Sequence, residues 1–163
     1  MTDLYPNLNK LTSNRATLEF SSFPNLSFTL QRYPLPGVNL GVAEQSSPLF
    51  DKPIYGDKLY FGDLYLEFAV SENMQNWYEV FKWMWGIANP SEHPVSAEFT
   101  YVDAVMTIYS SHNNPLVKVT FLDVIPVTLG ELDFSEQTSE TMEIYCMLVM
   151  KYQRYELEFY NTD

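Results

Sequence analysis

Apolar residues recur at every second position along most of this chain, and only one stretch breaks into a helical period. Leu64, Leu66, Phe68 and Val70 alternate with residues of a different kind, as do Ala104, Met106 and Ile108, and then Val117, Val119 and Phe121. Met142, Ile144, Cys146, Leu148 and Met150 do the same near the C-terminus. Period two is the signature of a strand with one covered face. Leu26, Phe28 and Leu30 show it too, between Ser27, Thr29 and Gln31, and predict a strand there. Val38 to Val42 predicts another short one. The turn cluster from Ser110 to Pro115 joins two of these runs into a hairpin. The last run is apolar on both faces in its middle, which predicts cover on both sides.

The helical stretch is short. Met74, Trp77, Tyr78, Phe81, Met84 and Trp85 fall at offsets of 0, 3, 4, 7, 10 and 11, one face of a helix. Ser71 is a suitable N-cap, and Gly86 with Asn89–Pro90 a suitable stop. This face is expected to be core, packed under a sheet, with Val80 and Trp83 widening it. Six or seven strands with no strand–helix alternation exclude a doubly wound parallel sheet. The expected fold is mainly β (α+β): an antiparallel sandwich or barrel-like subunit with one flanking amphipathic helix. With 163 residues the chain has the length of one domain. Residues 1–19 read as a polar arm and residues 20–163 as that single domain.

Chemistry is scarce. No nucleophile elbow, phosphate loop, dinucleotide fingerprint or zinc-protease motif is present. One cysteine, Cys146, excludes an internal disulfide, and mid-strand it reads as a small buried hydrophobe. His93 and His112 each lie in a polar loop, where solvation explains them, and they are too few for a histidine-rich metal centre. Asp57 with Asp63, and Glu131 with Asp133, are carboxylate pairs of the kind that chance supplies to a chain with 21 acids. No catalytic residue, cofactor or metal is assigned. The N-terminus has no signal-peptide pattern and no run long enough to span a membrane, so synthesis in a soluble, intracellular setting is expected. Nine cations against 21 acids leave a net charge of −12, the wrong sign for gripping nucleic acid.

Two features ask for more than a self-contained domain. Leu49, Phe50, Ile54, Tyr55, Leu59 and Tyr60 crowd a loop marked by Pro48, Pro53 and Gly56 and its entry into the strand region of Lys58 to Val70, where Gly62 predicts a bend. Either the loop folds back on its own domain, or it meets another subunit. Long strands in a small domain also leave edges, and pairing them between protomers into a closed barrel is one way to cover them.

Leu35–Pro36–Gly37–Val38, the loop to Tyr60 and the segment FGDLYLEFAVSENMQNWYEVFKWMWGI (Phe61 to Ile87) resemble the tail-tube proteins of contractile-tailed bacteriophages. The segment from Lys118 to Leu157 continues the resemblance, through Pro126, Gly130, Glu131 and Leu132. The resemblance covers roughly residues 20–158. It implies a structural, non-enzymatic virion protein made in the host cytoplasm. Such subunits join strands into hexameric rings that stack as a tube, with the long loop, here about residues 41–59, touching a neighbouring subunit or ring. Sheath, baseplate and terminator proteins are the implied partners, and DNA passes through without specific binding. A carboxylate-rich wall would suit such a channel, because it repels phosphate. A tube initiator or terminator ring of the same fold is the alternative. A small ligand-binding or hydrolytic β-barrel is the more distant one, and it requires a pocket with convergent polar groups.

Overall fold

A computed structural model describes residues 10–90, 100–136 and 142–160. Elements run in the order β1 (Ala16–Phe20), α1 (Pro24–Thr29), β2 (Leu30–Arg32), β3 (Val38–Gln45), β4 (Lys52–Phe61), β5 (Leu64–Ala69), α2 (Gln75–Ala88), β6 (Val102–Tyr109), β7 (Pro115–Leu129), β8 (Tyr145–Lys151) and β9 (Arg154–Phe159). The class is mainly β, as the alternation predicts. One antiparallel sheet has the order β1-β6-β7-β8-β5-β2 and curls into a nearly closed barrel, and β9 also pairs with β7. The Tyr33 hydroxyl donates to the Ala16 carbonyl and ties the segment after β2 to β1 at the opposite end of the strand order. β3 and β4 form a separate two-stranded ribbon.

The barrel interior follows from the period-two pattern. Leu64, Leu66 and Phe68 of β5 face inward with Cys146, Leu148 and Met150 of β8, Val119 and Phe121 of β7, and Ala104 and Met106 of β6, all buried. β7 is the spine. Its first half pairs with β6 on one side and β9 on the other, and its second half pairs with β8. The change comes at Asp123, which takes a left-handed φ of 55°. Around it the register with β6 slips between Val102↔Val124 and Ala104↔Phe121, a bulge that bends the strand. Asp103 holds the bulge by accepting from the Asp123 N–H at 3.1 Å.

Several sequence expectations are corrected here. The alternation at Leu26, Phe28 and Leu30 predicts a strand, but residues 24–29 form α1. Pro24 opens the helix, and the Thr29 hydroxyl bonds the carbonyls of Asn25 and Leu26. Three alternating residues are too few to separate the two periods. Ala16–Glu19, read as part of an arm, are strand β1, in register with β6 from Ala16↔Ile108 to Phe20↔Ala104; residues 1–9 lie outside the described residues. β7 continues to Leu129, well past the Val117–Phe121 alternation that marks it in the sequence. It carries Pro126 at a register irregularity in its pairing with β8. β8 is covered on one face only, since Tyr145 and Met147 are exposed. Beyond it the chain continues along β7 as β9.

α2 differs most. It begins at Gln75 rather than beside Ser71, because residues 71–74 close a turn through Met74 N–H to the Ser71 carbonyl at 2.7 Å. Met74 sits in the left-handed region, φ 53°. Asn76, fully buried, organises this corner. Its Oδ1 accepts from the Ser71 N–H, the Ser71 hydroxyl and the Trp77 N–H, and its Nδ2 donates to Thr29 Oγ1 and the Ala69 carbonyl. The covered face is Asn76, Val80, Trp83 and Gly86. Trp83 stacks on Phe23 with centroids 4.7 Å apart. Of the six residues expected to form the core face, Trp77 and Met84 pack half-buried against the core, while Met74, Tyr78, Phe81 and Trp85 are exposed.

An aromatic cluster gathers around Phe121. Phe121 meets Tyr152 edge-on at 5.1 Å and Tyr155 at 5.7 Å. The Tyr152 hydroxyl oxygen is buried and makes no hydrogen bond among the described residues. Burial, then the neighbouring Tyr155 and Asp63, push this phenol up to about 12 from its ordinary 10.0. The sign for stability follows directly. Above pH 10 the unfolded chain releases this proton while the folded chain keeps it, so stability falls between about pH 10 and 12. Tyr152→Phe is expected to flatten that alkaline loss in denaturant titrations at stepped pH. At pH 7 it should be neutral or stabilising by about 1 kcal/mol, since it removes a hydroxyl that gains nothing from burial. A marked loss at pH 7 would mean that the hydroxyl has a partner.

Candidate assembly surface

The ribbon is built by cross-strand pairs. Val38↔Phe61, Leu40↔Leu59 and Val42↔Tyr55 stand on one face, and Asn39↔Tyr60 and Ala43↔Ile54 on the other. The register slips between Leu40 and Val42, where Gly41 and Gly56 come together. A Cβ on Gly56 would lie 2.5 Å from the Gly41 carbonyl oxygen, so only glycine allows the strands to approach there. Gly56→Ala is therefore expected to distort the ribbon while leaving the barrel's melting transition within a few degrees of wild type. Near-wild-type assembly in sedimentation velocity would show that ribbon geometry is unimportant.

The ribbon's root is firm. Gly62 N–H donates to the Gly37 carbonyl at 2.9 Å, and the Tyr155 hydroxyl to the Pro36 carbonyl at 3.2 Å. Phe61 packs on Tyr155 with centroids 5.1 Å apart. Beyond that root nothing else among the described residues covers it. Leu49 and Phe50 at the tip are 83% exposed and Tyr55 is 85% exposed, with Ile54, Leu59 and Tyr60 exposed as well. The residues from 46 to 56, read as a loop, are thus a turn and the first half of strand β4. Of the two readings of their apolar content, folding back onto the domain is not seen among the described residues. A lone two-stranded hairpin is marginal in water, and so many uncovered apolar side chains are unusual on a monomer.

A second uncovered surface lies on α2. Trp77 and Phe81 stack at 5.5 Å, and Trp85 follows Phe81 at 5.9 Å. Phe81 and Trp85 of this row are exposed, whereas Trp77 packs against the core with its indole nitrogen buried. A third is the sheet's own borders, because β1 and β2 end the strand order.

Groups with chemical potential do not converge. Cys146 is buried, and burial pushes its thiol up, which disfavours the thiolate a nucleophile needs. His112 is exposed in the β6–β7 turn beside Ser111; His93 lies outside the described residues. Asp57 is exposed on the ribbon, Asp63 pairs with Lys151 at 3.6 Å on the barrel, and Glu131 and Asp133 are exposed beyond β7. Among the described residues no three His, Cys, Asp or Glu side chains gather as a metal site would need, and no helix is long and apolar enough to cross a membrane.

No protein-family model matches the sequence, and no curated protein matches it. Solved structures do match. A chain of the sheath–tube complex of an extracellular contractile injection system, PVC, in the extended state is similar with a TM-score of 0.69 at 10% identity, over 94% of this chain and 95% of that one. A chain of the anti-feeding prophage tube-terminating cap is similar with a TM-score of 0.68 at 11% identity, over 97% of both. A chain of the anti-feeding prophage baseplate is similar with a TM-score of 0.66 at 15% identity, over 93% of this chain and 97% of that one. This chain therefore has the fold shared by tube, cap and baseplate components of contractile injection systems.

Proposed function

We propose that this protein is a structural subunit of a contractile-tail tube of the phage type. Copies join barrel borders into hexameric rings, the rings stack, and the stack encloses a channel that conducts DNA. The observation that carries this reading is the ribbon: an apolar, two-stranded projection, rooted in the barrel, that the described residues leave uncovered. Such a ribbon persists when another molecule buries it. The net charge of −12 supports a conduit rather than a nucleic-acid grip, since a wall of carboxylates gives phosphates no place to stop. Sheath, baseplate and terminator proteins are the partners this role entails, and the assembled particle is its location.

The likeness to a cap chain and a baseplate chain, as strong as that to the tube complex, keeps a second reading: a ring of the same fold used once per particle. Negative-stain micrographs of the concentrated protein test the first step, with rings or tubes expected. A chain that stays monomeric at high concentration, with no particle component able to recruit it, overturns both readings. Copy number in the intact particle separates them, many copies meaning tube and a single ring meaning initiator or terminator.

A further inference from the structure

We infer that Tyr33 is a removable latch on the β1 border of the barrel. The slot it closes takes strand β9 of a second copy in one register, with Arg15 facing Glu158 and Glu19 facing Arg154. This rests on the reading that copies of this chain assemble; it adds what holds the border shut in the free chain and what selects the strand that opens it. The Tyr109 N–H donates to the Arg15 carbonyl at 2.9 Å, and β1 keeps register with β6 from there to Phe20. Bonding alternates along an antiparallel ladder, so Arg15, Thr17 and Glu19 turn their backbone groups to β6, while Ala16, Leu18 and Phe20 turn theirs away. Side chains cap two of those outward groups. The Tyr33 hydroxyl donates to the Ala16 carbonyl, and the Phe20 N–H donates to Ser27 Oγ at 2.8 Å. Leu18 lies between the two caps, on a concavity of about 470 Å³ between β1 and the segment from Pro24 to Tyr33. A border capped in this way is protected from casual pairing.

β9 is the matching border. It is antiparallel to β7, β7 to β6 and β6 to β1, so β9 and β1 run in opposite directions. A second copy set beside the first in the same sense therefore brings its β9 antiparallel to β1, a head-to-tail contact that repeats. The Tyr160 N–H donates to the Leu116 carbonyl at 2.9 Å, so Glu158, Glu156 and Arg154 bond to β7, and Tyr155, Leu157 and Phe159 turn their backbone groups outward. The parities agree. On both strands the residues with outward backbone groups carry the side chains of the barrel side. Leu18 and Phe20 are buried there, while Leu157, across from Val119, and Phe159, across from Val117, remain 51% and 69% exposed at the sheet's margin.

Charge chooses the register. With Ala16 facing Leu157 and Leu18 facing Tyr155, the other face sets Arg15 against Glu158, Thr17 against Glu156 and Glu19 against Arg154. A slip of two residues one way sets Glu19 against Glu156; a slip the other way carries Glu19 past the start of β9. Opposite charges across a ladder stabilise it and like charges do the reverse. In the free chain Arg15 donates to Asn113, Glu158 lies 3.9 Å from Lys118, and Arg154 reaches Glu156 along its own strand at 2.8 Å. These are exposed contacts, weak enough to be exchanged for a partner across the new ladder. The Leu157 N–H of the incoming strand takes the Ala16 carbonyl, so Tyr33 must let go. Phe20 falls beyond the end of β9, and Ser27 keeps its hold there.

Tyr33→Phe removes the donor and keeps the ring. Its melting temperature should stay within a few degrees of wild type. Light scattering should show assembly starting at a protein concentration roughly fivefold lower, the worth of one hydrogen bond released in advance. An equal or higher threshold overturns the latch, since a hydroxyl that only braces the barrel would not oppose assembly. The register is tested with full-length Thr17→Cys and Glu156→Cys chains, mixed, allowed to assemble and oxidised, Cys146 being buried. A disulfide requires Cα atoms within about 7 Å, so a covalent dimer is expected in the mixture and in neither variant alone. Should these variants fold poorly, charge exchange decides: Glu19→Arg and Arg154→Glu should each impair assembly, and the two together in one chain should restore it. No mixed disulfide from folded variants, or no rescue by the double exchange, in samples whose wild type forms rings or tubes by microscopy, overturns the pairing and leaves the tube reading intact. A wild-type chain and a Tyr33→Phe chain that both fail to assemble, alone and with particle components, sink both.

Discussion

Replacing residues 39–60 with the dipeptide Asn-Gly is expected to yield a folded monomer that forms neither rings nor tubes. The design keeps the Val38↔Phe61 pair and closes it with a two-residue hairpin turn, for which Asn-Gly is well suited. It keeps the Gly62-to-Gly37 hydrogen bond and the packing of Phe61 on Tyr155, which are the ribbon's attachments to the barrel. What it removes is exposed, so the barrel loses little buried area and its stability should change by no more than about 1 kcal/mol. Assembly should be lost outright, because the deleted segment includes eight of the nine exposed ribbon residues. Denaturant unfolding checks the first expectation, and sedimentation velocity with micrographs the second. A variant that cannot fold would show that the ribbon braces its own barrel, and one that still builds tubes would remove the ribbon from the account of assembly.

Phe121→Ala is expected to be the most damaging single change in the barrel, costing about 3–5 kcal/mol. The ring is completely buried at the point where β7 is paired with both β6 and β9, and it contacts the rings of Tyr152 and Tyr155. Paired strands on both sides hold the backbone in place, so the cavity left by the ring cannot collapse. Against a typical total of about 5–15 kcal/mol, that loss leaves a marginal fold. Urea titration with fluorescence detection measures it. A cost below about 1.5 kcal/mol would mean that the neighbouring tyrosines move in to fill the space.

Much of the barrel was legible in the residues. The β6–β7 hairpin, β5 and the inward face of β8 follow from strict alternation over five or more residues, since a one-residue slip would turn every apolar side chain outward. Shorter or interrupted signals were not legible. Three alternating residues at Leu26–Leu30 hid a one-turn-and-a-half helix. Pro53 and Gly56 marked a loop where the chain in fact runs as a strand, because an irregular register tolerates residues that a regular ladder does not. The continuation of β8 into β9 passed unnoticed, since its outer residues Glu156 and Glu158 carry no apolar pattern to follow.

The six ribbon residues singled out from the sequence are all exposed, which no count of apolar residues could establish. The helix shows the same limit from the other side. Its apolar positions cover nearly the whole circumference, so periodicity marks a helix without marking its covered face. That face went to Val80, Trp83, Gly86 and a buried asparagine, because α1 and Phe23 leave room there and Asn76 can satisfy Ser71, Thr29 and Ala69 at once.

The residues alone determined that the chain is a strand-rich antiparallel domain with a short amphipathic helix and an acidic surface, since local period and charge depend on neighbours a few positions away. Which apolar side chains stay in water was decided only in three dimensions. Burial depends on what arrives from distant parts of the chain, and beyond the ribbon's root nothing among the described residues arrives to cover it.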